Sequence, residues 1–361
     1  MAEPASSYEP LPFHDAVALL HGFRSGTAGD HLIPDPPLLV VRLDEALDEA
    51  PEDTAAVAAH PLRPPALLPC VVVAVANPAS GLPAGPPPAG ADIYLTERED
   101  PPEPWVTCRD LGELTGAVGR NPQASTTLAQ VLRVRSGDVE HDLVTESLAY
   151  AALQAGREHR DWLEAHGQDR PRAAPAEDGL PAVRVARSGE TLDVVLDLPD
   201  RRNAYSARMR DELVAALQLA SSDPTITAVR LRGNGRSFCS GGDLAEFGTV
   251  QDPATAHQIR TTRSAGHLAH LVRDRLMPRV HGPCVGAGVE LPAFAARVSA
   301  APGTTFRLPE VGMGLIPGAG GTASIPPRIG RHRTAWLAIT GCELDVATAL
   351  RWGLIDRIDP G

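Results

Sequence analysis

His281-Gly-Pro-Cys-Val-Gly-Ala-Gly-Val-Glu290 reads as a strand end that runs through a glycine-rich turn into a helix. Such a turn leaves backbone N–H groups exposed at the helix start, where they attract negative charge. Two further turns of the same make flank it, Gly233-Asn-Gly-Arg-Ser-Phe-Cys-Ser-Gly-Gly-Asp243 and Leu308-Pro-Glu-Val-Gly-Met-Gly-Leu-Ile-Pro-Gly-Ala-Gly-Gly-Thr322. Two turns of this kind facing one point can hold a developing oxyanion. From Gly282 to Ala300 the only charged residues are Glu290 and Arg297. A carboxylate among so many apolar neighbours either pairs structurally or works with a raised pKa.

Outward from these turns, strands and helices alternate. Thr191-Leu-Asp-Val-Val-Leu-Asp-Leu198 has the period of a strand, and Ser206 is placed to cap a helix whose Met209, Leu213, Ala216 and Leu217 share one face. Thr227 to Arg232 is the next strand. Helices are expected over Pro253 to Leu276, around Glu290, at Arg331 to Thr340 and at Asp345 to Trp352, where Gly353 is the stop. Alternation of this kind specifies an α/β fold.

The first half differs in kind. Up to residue 182 there are 28 acids and 12 arginines, against 17 and 21 afterwards, and 23 of the 35 prolines fall in that half. Cys70 to Val75 and Asp92 to Thr96 are strand-like and are split by a Pro/Gly-rich loop from Asn77 to Gly90. Between Thr126 and Leu163, Leu128, Val131, Leu132, Leu143, Leu148 and Leu153 mark two helices broken near Ser136-Gly137. Residues 166–182 carry almost no large apolar side chain and read as a linker. The expected division is a mixed, helix-ended extension at 1–165, the linker at 166–182, and a second domain at 183–361.

Composition excludes several chemistries. All 33 basic residues are arginine, so there is no P-loop lysine, Schiff-base lysine or pyridoxal-phosphate anchor. Five cysteines, Cys70, Cys108, Cys239, Cys284 and Cys342, match neither metal-ligand spacing nor a disulfide framework, so reduced thiols and no metal are expected. The net charge of -12 argues against a nucleic-acid partner. The longest apolar run, Ala66 to Ala76 interrupted by Pro69, falls short of the roughly 18 residues a bilayer demands. Two acids and no basic residue open the chain, so no secretory signal is read and the cytoplasm is the expected location.

Three local patterns invite other readings. Gly318-Ala-Gly320-Gly-Thr-Ala323 fits the dinucleotide pattern, but it follows Ile316-Pro317 instead of a buried strand. Ser240 lacks the glycine two residues earlier that a nucleophile elbow needs. His281 is read as a hydrogen-bonded structural residue beside a strand end.

Arg202-Asn-Ala, Arg232 to Leu244, Val280 to Leu291, Pro309-Glu310 and Gly314 to Thr322 together resemble the enoyl-CoA hydratase/isomerase (crotonase) superfamily over about Ala182 to Pro360. The resemblance implies a core of repeated ββα units. It places the oxyanion hole at the N–H groups of Gly242 and Ala287 and the paired catalytic carboxylates at Glu290 and Glu310. It implies reversible syn hydration of a 2-enoyl-CoA, with coenzyme A as part of the substrate and no separate cofactor. Double-bond isomerisation is a variant that often works with one carboxylate. A homo-oligomer, a trimer or dimer of trimers, is also implied. The family continues past its last strand with helices that cover the acyl site, whereas this sequence stops at Gly361. The first half, with Glu146-Ser-Leu-Ala-Tyr-Ala-Ala-Leu-Gln-Ala-Gly156, resembles the helical extension of the dihydroxyphenylacetyl-CoA dioxygenase branch and is expected to take the place of that cover.

The competing readings are a cofactor-free acyl-CoA dioxygenase, which has little use for a water-holding pair of glutamates, and a non-catalytic acyl-CoA binding protein, whose signature would be a decayed site. Both glutamates and both turns are intact. In a protein without lysine, the coenzyme A phosphates must be met by guanidinium or backbone N–H groups. Arg201, Arg202 and Arg236, flanking the first two motifs, are the candidates.

Overall fold

The computed structural model describes residues 10–25, 34–44, 64–77, 81–82, 90–167, 180–250 and 252–359. The chain forms two compact units, Met1–Val134 with Gly330–Thr340, and Arg135–Ile329 with Gly341–Gly361.

The first unit contains α1 (Phe13–Ser25), β1 (Leu38–Arg42), β2 (Val71–Val75), β3 (Ile93–Thr96), β4 (Trp105–Thr107), α2 (Gly112–Arg120) and α3 (Pro122–Val134). Its sheet is wholly parallel in the order β1-β2-β3-β4. Parallel strands are buried on both faces, which is why β2 is an unbroken apolar run. Phe13, Ala16 and Leu20 of α1 pack with Leu39, Val41, Val72, Ala74 and Tyr94. The buried Asp92 carboxylate is held by Arg133, 2.5 Å away, and by the Val72 amide at 2.8 Å. Residues 330–340 join this unit through buried Arg333, which donates to the Trp105 carbonyl, and through His332, whose ring stands edge-on to Tyr94 at 4.8 Å.

The second unit begins with α4 (Val139–Gln154) and α5 (Arg157–His166), continues through β5 (Val183–Ser188), β6 (Thr191–Leu196), α6 (Ala207–Ser222) and β7 (Ala228–Gly233), then α7 (Pro253–Thr262) and α8 (Ala265–Leu271). There follow β8 (Leu276–Val280), β9 (Pro283–Val285), α9 (Ala287–Glu290), β10 (Ser299–Ala300), β11 (Thr305–Arg307) and α10 (Gly321–Ser324). Helix α11 (Pro326–Thr340) is kinked at Gly330, where the first unit takes it over. The chain then returns as β12 (Leu344–Asp345), α12 (Val346–Trp352) and β13 (Arg357–Ile358). A six-stranded sheet runs β13-β10-β8-β7-β6-β5, parallel except for β5, and a small sheet runs β12-β11-β9. Two repeats, β8-β9-α9 and β10-β11-α10, send one strand to the large sheet and the next to the small one before a helix. This is the α/β, crotonase-like ββα core.

Local signals explain the element ends. Ser206 caps α6 by accepting from the Met209 amide, and Met209, Leu213, Ala216 and Leu217 are buried. Asp345 caps α12, and Gly353 ends it at φ 85°. The helix expected over 253–276 is two helices and a strand, because Arg263 breaks α7 and Ser264 caps α8 through the His267 amide.

The units do not divide at the boundary expected from composition. Residues 139–166 belong with the glycine-rich turns instead of with 1–134. At the break before α4 the Asp142 carboxylate accepts from the Ser136 amide and hydroxyl and from the Gly137 amide. Most of the expected linker, 168–179, lies outside the described residues. Leu148, read as part of an apolar helix face, is exposed, whereas Asp142, Glu146 and Ser147 are buried.

Candidate active site

Gly286 adopts φ 49° and ψ -116°, and this turn starts α9 with Ala287. Opposite it lies the turn after β7. Cys239 pairs with Cys284 in a parallel bridge, and the Val285 amide donates to the Cys239 carbonyl at 3.0 Å. Gly241 is so close to Val285 that an added Cβ would lie 3.1 Å from its carbonyl oxygen. The two turns that carry Gly242 and Ala287 are therefore strapped side by side. Among the described residues, neither the Gly242 nor the Ala287 amide donates to a protein acceptor. Unspent amides at the mouth of a glycine turn are what an oxyanion requires.

Glu290 closes α9, is buried, and receives the Ala319 and Gly321 amides on one oxygen, Oε2, at 2.8 and 2.9 Å. Its Oε1 has no protein donor among the described residues. Glu310 follows β11 in the turn 310–313, and a Cβ on Gly286 would run into its Oε1. Its Oε2 is buried without a hydrogen-bond partner. Burial first, then the charge of Glu310, pushes the Glu290 carboxyl above the ordinary carboxylate range, and burial does the same to Glu310.

A third carboxylate, which sequence reasoning did not single out, completes the cluster. Glu146 of α4 is buried and accepts the Gly320 amide at 2.7 Å and the Thr322 amide and hydroxyl at 2.8 and 2.7 Å. Burial and then the Glu290 charge raise its pKa as well. Tyr150, one turn further along α4, lies under Gly318, with the Arg260 guanidinium 4.5 Å from its ring centre. A cavity of about 260 Å³ opens beside this turn, lined by Leu143, Glu146, Tyr205, Arg260 and Ala319 among others. On α5, His159 Nδ1 meets the Met313 carbonyl at 2.9 Å, and Trp162 faces Phe247, which packs against Gly242.

The remaining candidates separate. Arg201 is committed to Asp243 at 2.8 Å. Arg202 and Arg236 are exposed, with no side-chain partner among the described residues, on the loops flanking Gly242. His281 is bound to the Gly235 carbonyl at 2.9 Å, as a structural histidine would be. The amides of 319–322 are spent on Glu290 and Glu146, which leaves the dinucleotide-like pattern nothing to offer a phosphate. None of the five cysteines is in a disulfide. No helix of the described residues is long and apolar enough to cross a membrane, and no group of three or more His, Cys, Asp or Glu among them could hold a metal ion.

Three buried carboxyls with raised pKa values give a stability slope of known sign. Below the unfolded value of about 4.3 both states are protonated. Above it the unfolded chain releases protons that the folded chain retains, so stability falls as pH rises towards the folded pKa values. The melting temperature is expected to drop between about pH 5 and 8, and Glu310→Gln should make that slope shallower in thermal melts. Parallel slopes for the two proteins would show that Glu310 does not contribute.

Residues 187–361 match the family model described as enoyl-CoA hydratase/isomerase. The chain is 34% identical over 180 residues to the enoyl-CoA isomerase/hydratase fer4 of Mycosarcoma maydis, covering 46% of this chain and 65% of that protein. It is 31% identical over 176 residues to the 2,3-dehydroadipyl-CoA hydratase of Escherichia coli K12, covering 49% of this chain and 68% of that one. The carnitinyl-CoA hydratase structure from Mycobacterium avium aligns at 33% identity and a TM-score of 0.45, over 50% of this chain and 70% of that chain. The chain spans just under two thirds of the length of several curated relatives. With the ββα core in place and a relative above 30% identity matched over more than two thirds of its length, the chain belongs to the enoyl-CoA hydratase/isomerase family of the crotonase superfamily.

Proposed function

We propose that the second unit hydrates 2-enoyl-CoA thioesters reversibly, with Gly242 and Ala287 as the oxyanion hole and Glu290 and Glu310 as the acid/base pair. The observation that carries this is the pair of unspent amides beside two buried carboxyls that cannot easily both ionise. The thioester carbonyl oxygen sits between the Gly242 and Ala287 N–H groups, and each such donor lowers the barrier by roughly 3 kcal/mol. The two amides on Glu290 Oε2 fix that carboxyl and leave Oε1 open, so Glu290 is assigned to hold the attacking water and take its proton. Glu310, held above the ordinary carboxylate range by burial, delivers the proton to Cα. Water O–H and the alkene are consumed, and one C–O and one C–H bond form on the same face. The cavity beside Ala319 is the space open to the acyl group. Three carboxyls crowding one site suit water addition better than the apolar oxygen pocket that a dioxygenase needs.

Turnover of a short 2-enoyl-CoA, followed by loss of its conjugated thioester absorbance, tests the reading, and absence of turnover over a range of acyl groups would refute it. Arg202 and Arg236 are proposed to meet coenzyme A phosphates. Arg202→Ala/Arg236→Ala together should raise KM several-fold at low salt with kcat little changed. An unchanged KM would move the phosphate site elsewhere.

A further inference from the structure

We propose that Glu146 is a positioning residue for Glu290, acting through the turn 319–322. The four successive amides of this turn are shared alternately between two buried carboxylates. Ala319 and Gly321 donate to Glu290, while Gly320 and Thr322 donate to Glu146. Gly320 stands at φ 106°, a left-handed conformation open to glycine, at the start of α10. Amides at a helix start have no intrahelical partner, so two carboxylates there complete the hydrogen bonding of the turn from opposite sides.

The clamp decides how Glu290 can work. Both bonds from the turn fall on Oε2 and leave Oε1 for a water or a substrate group. If the turn moved, Oε2 would lose both donors at once and the side chain could rotate out of register. Glu146 is well fitted to prevent this, because its own place is fixed. The adjacent Ser147 hydroxyl is held by His257 at 2.9 Å and by Arg260 at 3.1 Å, both from α7. Tyr150 packs under Gly318 at the entrance of the same turn. A reacting carboxylate fixed by buried hydrogen bonds, themselves fixed from behind, is pre-organised before substrate arrives.

The effect on catalysis rests on the acid/base role proposed for Glu290, so the experiment reads the clamp separately. Amide exchange of the segment containing 319–322 is measured in the full chain for Glu146→Gln, Glu146→Leu and Thr322→Val, alongside kcat and KM for 2-enoyl-CoA hydration. In Glu146→Leu, exchange of that segment should quicken at least tenfold while the six-stranded sheet stays protected. Its kcat should fall about 10- to 100-fold, with KM within about twofold. Glu146→Gln keeps one carbonyl oxygen for the turn and should recover most of the loss in both readouts. Thr322→Val removes one bond and should lower kcat only a few-fold, and it carries the test together with Glu146→Gln if the leucine variant does not fold. Unchanged exchange in the Glu146 variants would overturn the proposal. So would a loss expressed in KM, or a glutamine variant as damaged as the leucine one. If the parent protein hydrates no enoyl-CoA, the acid/base reading fails, and exchange alone decides whether the clamp exists.

Discussion

Glu290→Gln and Glu310→Gln are each expected to lower kcat for enoyl-CoA hydration by roughly 10²- to 10⁴-fold, the range lost when a positioned acid or base is removed. Glutamine keeps volume and one acceptor oxygen, so the Ala319 and Gly321 amides retain a partner and the fold should survive. If both carboxyls serve one water and one carbon in a single step, the double variant should fall little below the worse single one. A large loss for Glu310→Gln alone would mark an isomerase. Parent rates in both single variants would refute the paired-carboxylate mechanism and leave the oxyanion turn to a different reaction.

Gly286→Ala is expected to cost activity almost as heavily while leaving both glutamates in place. At φ 49° and ψ -116° an L side chain is strained, at about 1–3 kcal/mol. The new methyl would also displace the Glu310 carboxylate from its position against Gly286. The adjacent Ala287 amide would turn with it, so kcat should fall about 10²- to 10³-fold, as for loss of an oxyanion donor. Gly303→Ala is the control. Gly303 also has positive φ, at 74°, but nothing lies within 4 Å of an added Cβ there. It should show the stability loss without the catalytic one, and equal kinetic damage in the two variants would sink the geometric argument.

The glycine-rich turns were legible in the sequence because their signals are local. Glycines at turns, an acid in an apolar stretch, a serine cap before Met209 and Gly353 after Trp352 each act within a few residues of where they are written. Glu146 was not legible, because its partners Gly320 and Thr322 lie far along the chain. Helix α4 also misleads by its pattern. It buries Asp142, Glu146 and Ser147 and exposes Val144 and Leu148, so the ordinary rule of apolar face inward points to the wrong side. Early in α4 the buried side chains are polar because Glu146 completes a hydrogen-bonded turn and Asp142 the bend before the helix, and Leu153 is the buried apolar residue nearer its end. The strand β5 was equally hidden, since only Val183 at its start is buried and the rest is exposed. The first unit's inclusion of 330–340 is a discontinuous arrangement that no local pattern records.

That discontinuity bears on how the protein is made. Trp105 and Asp92 of the first sheet emerge from the ribosome early, but Arg333 and His332, which bond their carbonyls, are written about 200 residues after α3 ends. At the usual rate of synthesis the amino-terminal sheet waits about 10–40 s for its last helix. During that interval the surface that residues 330–340 cover is open, so this sheet cannot complete its packing until those residues have been made.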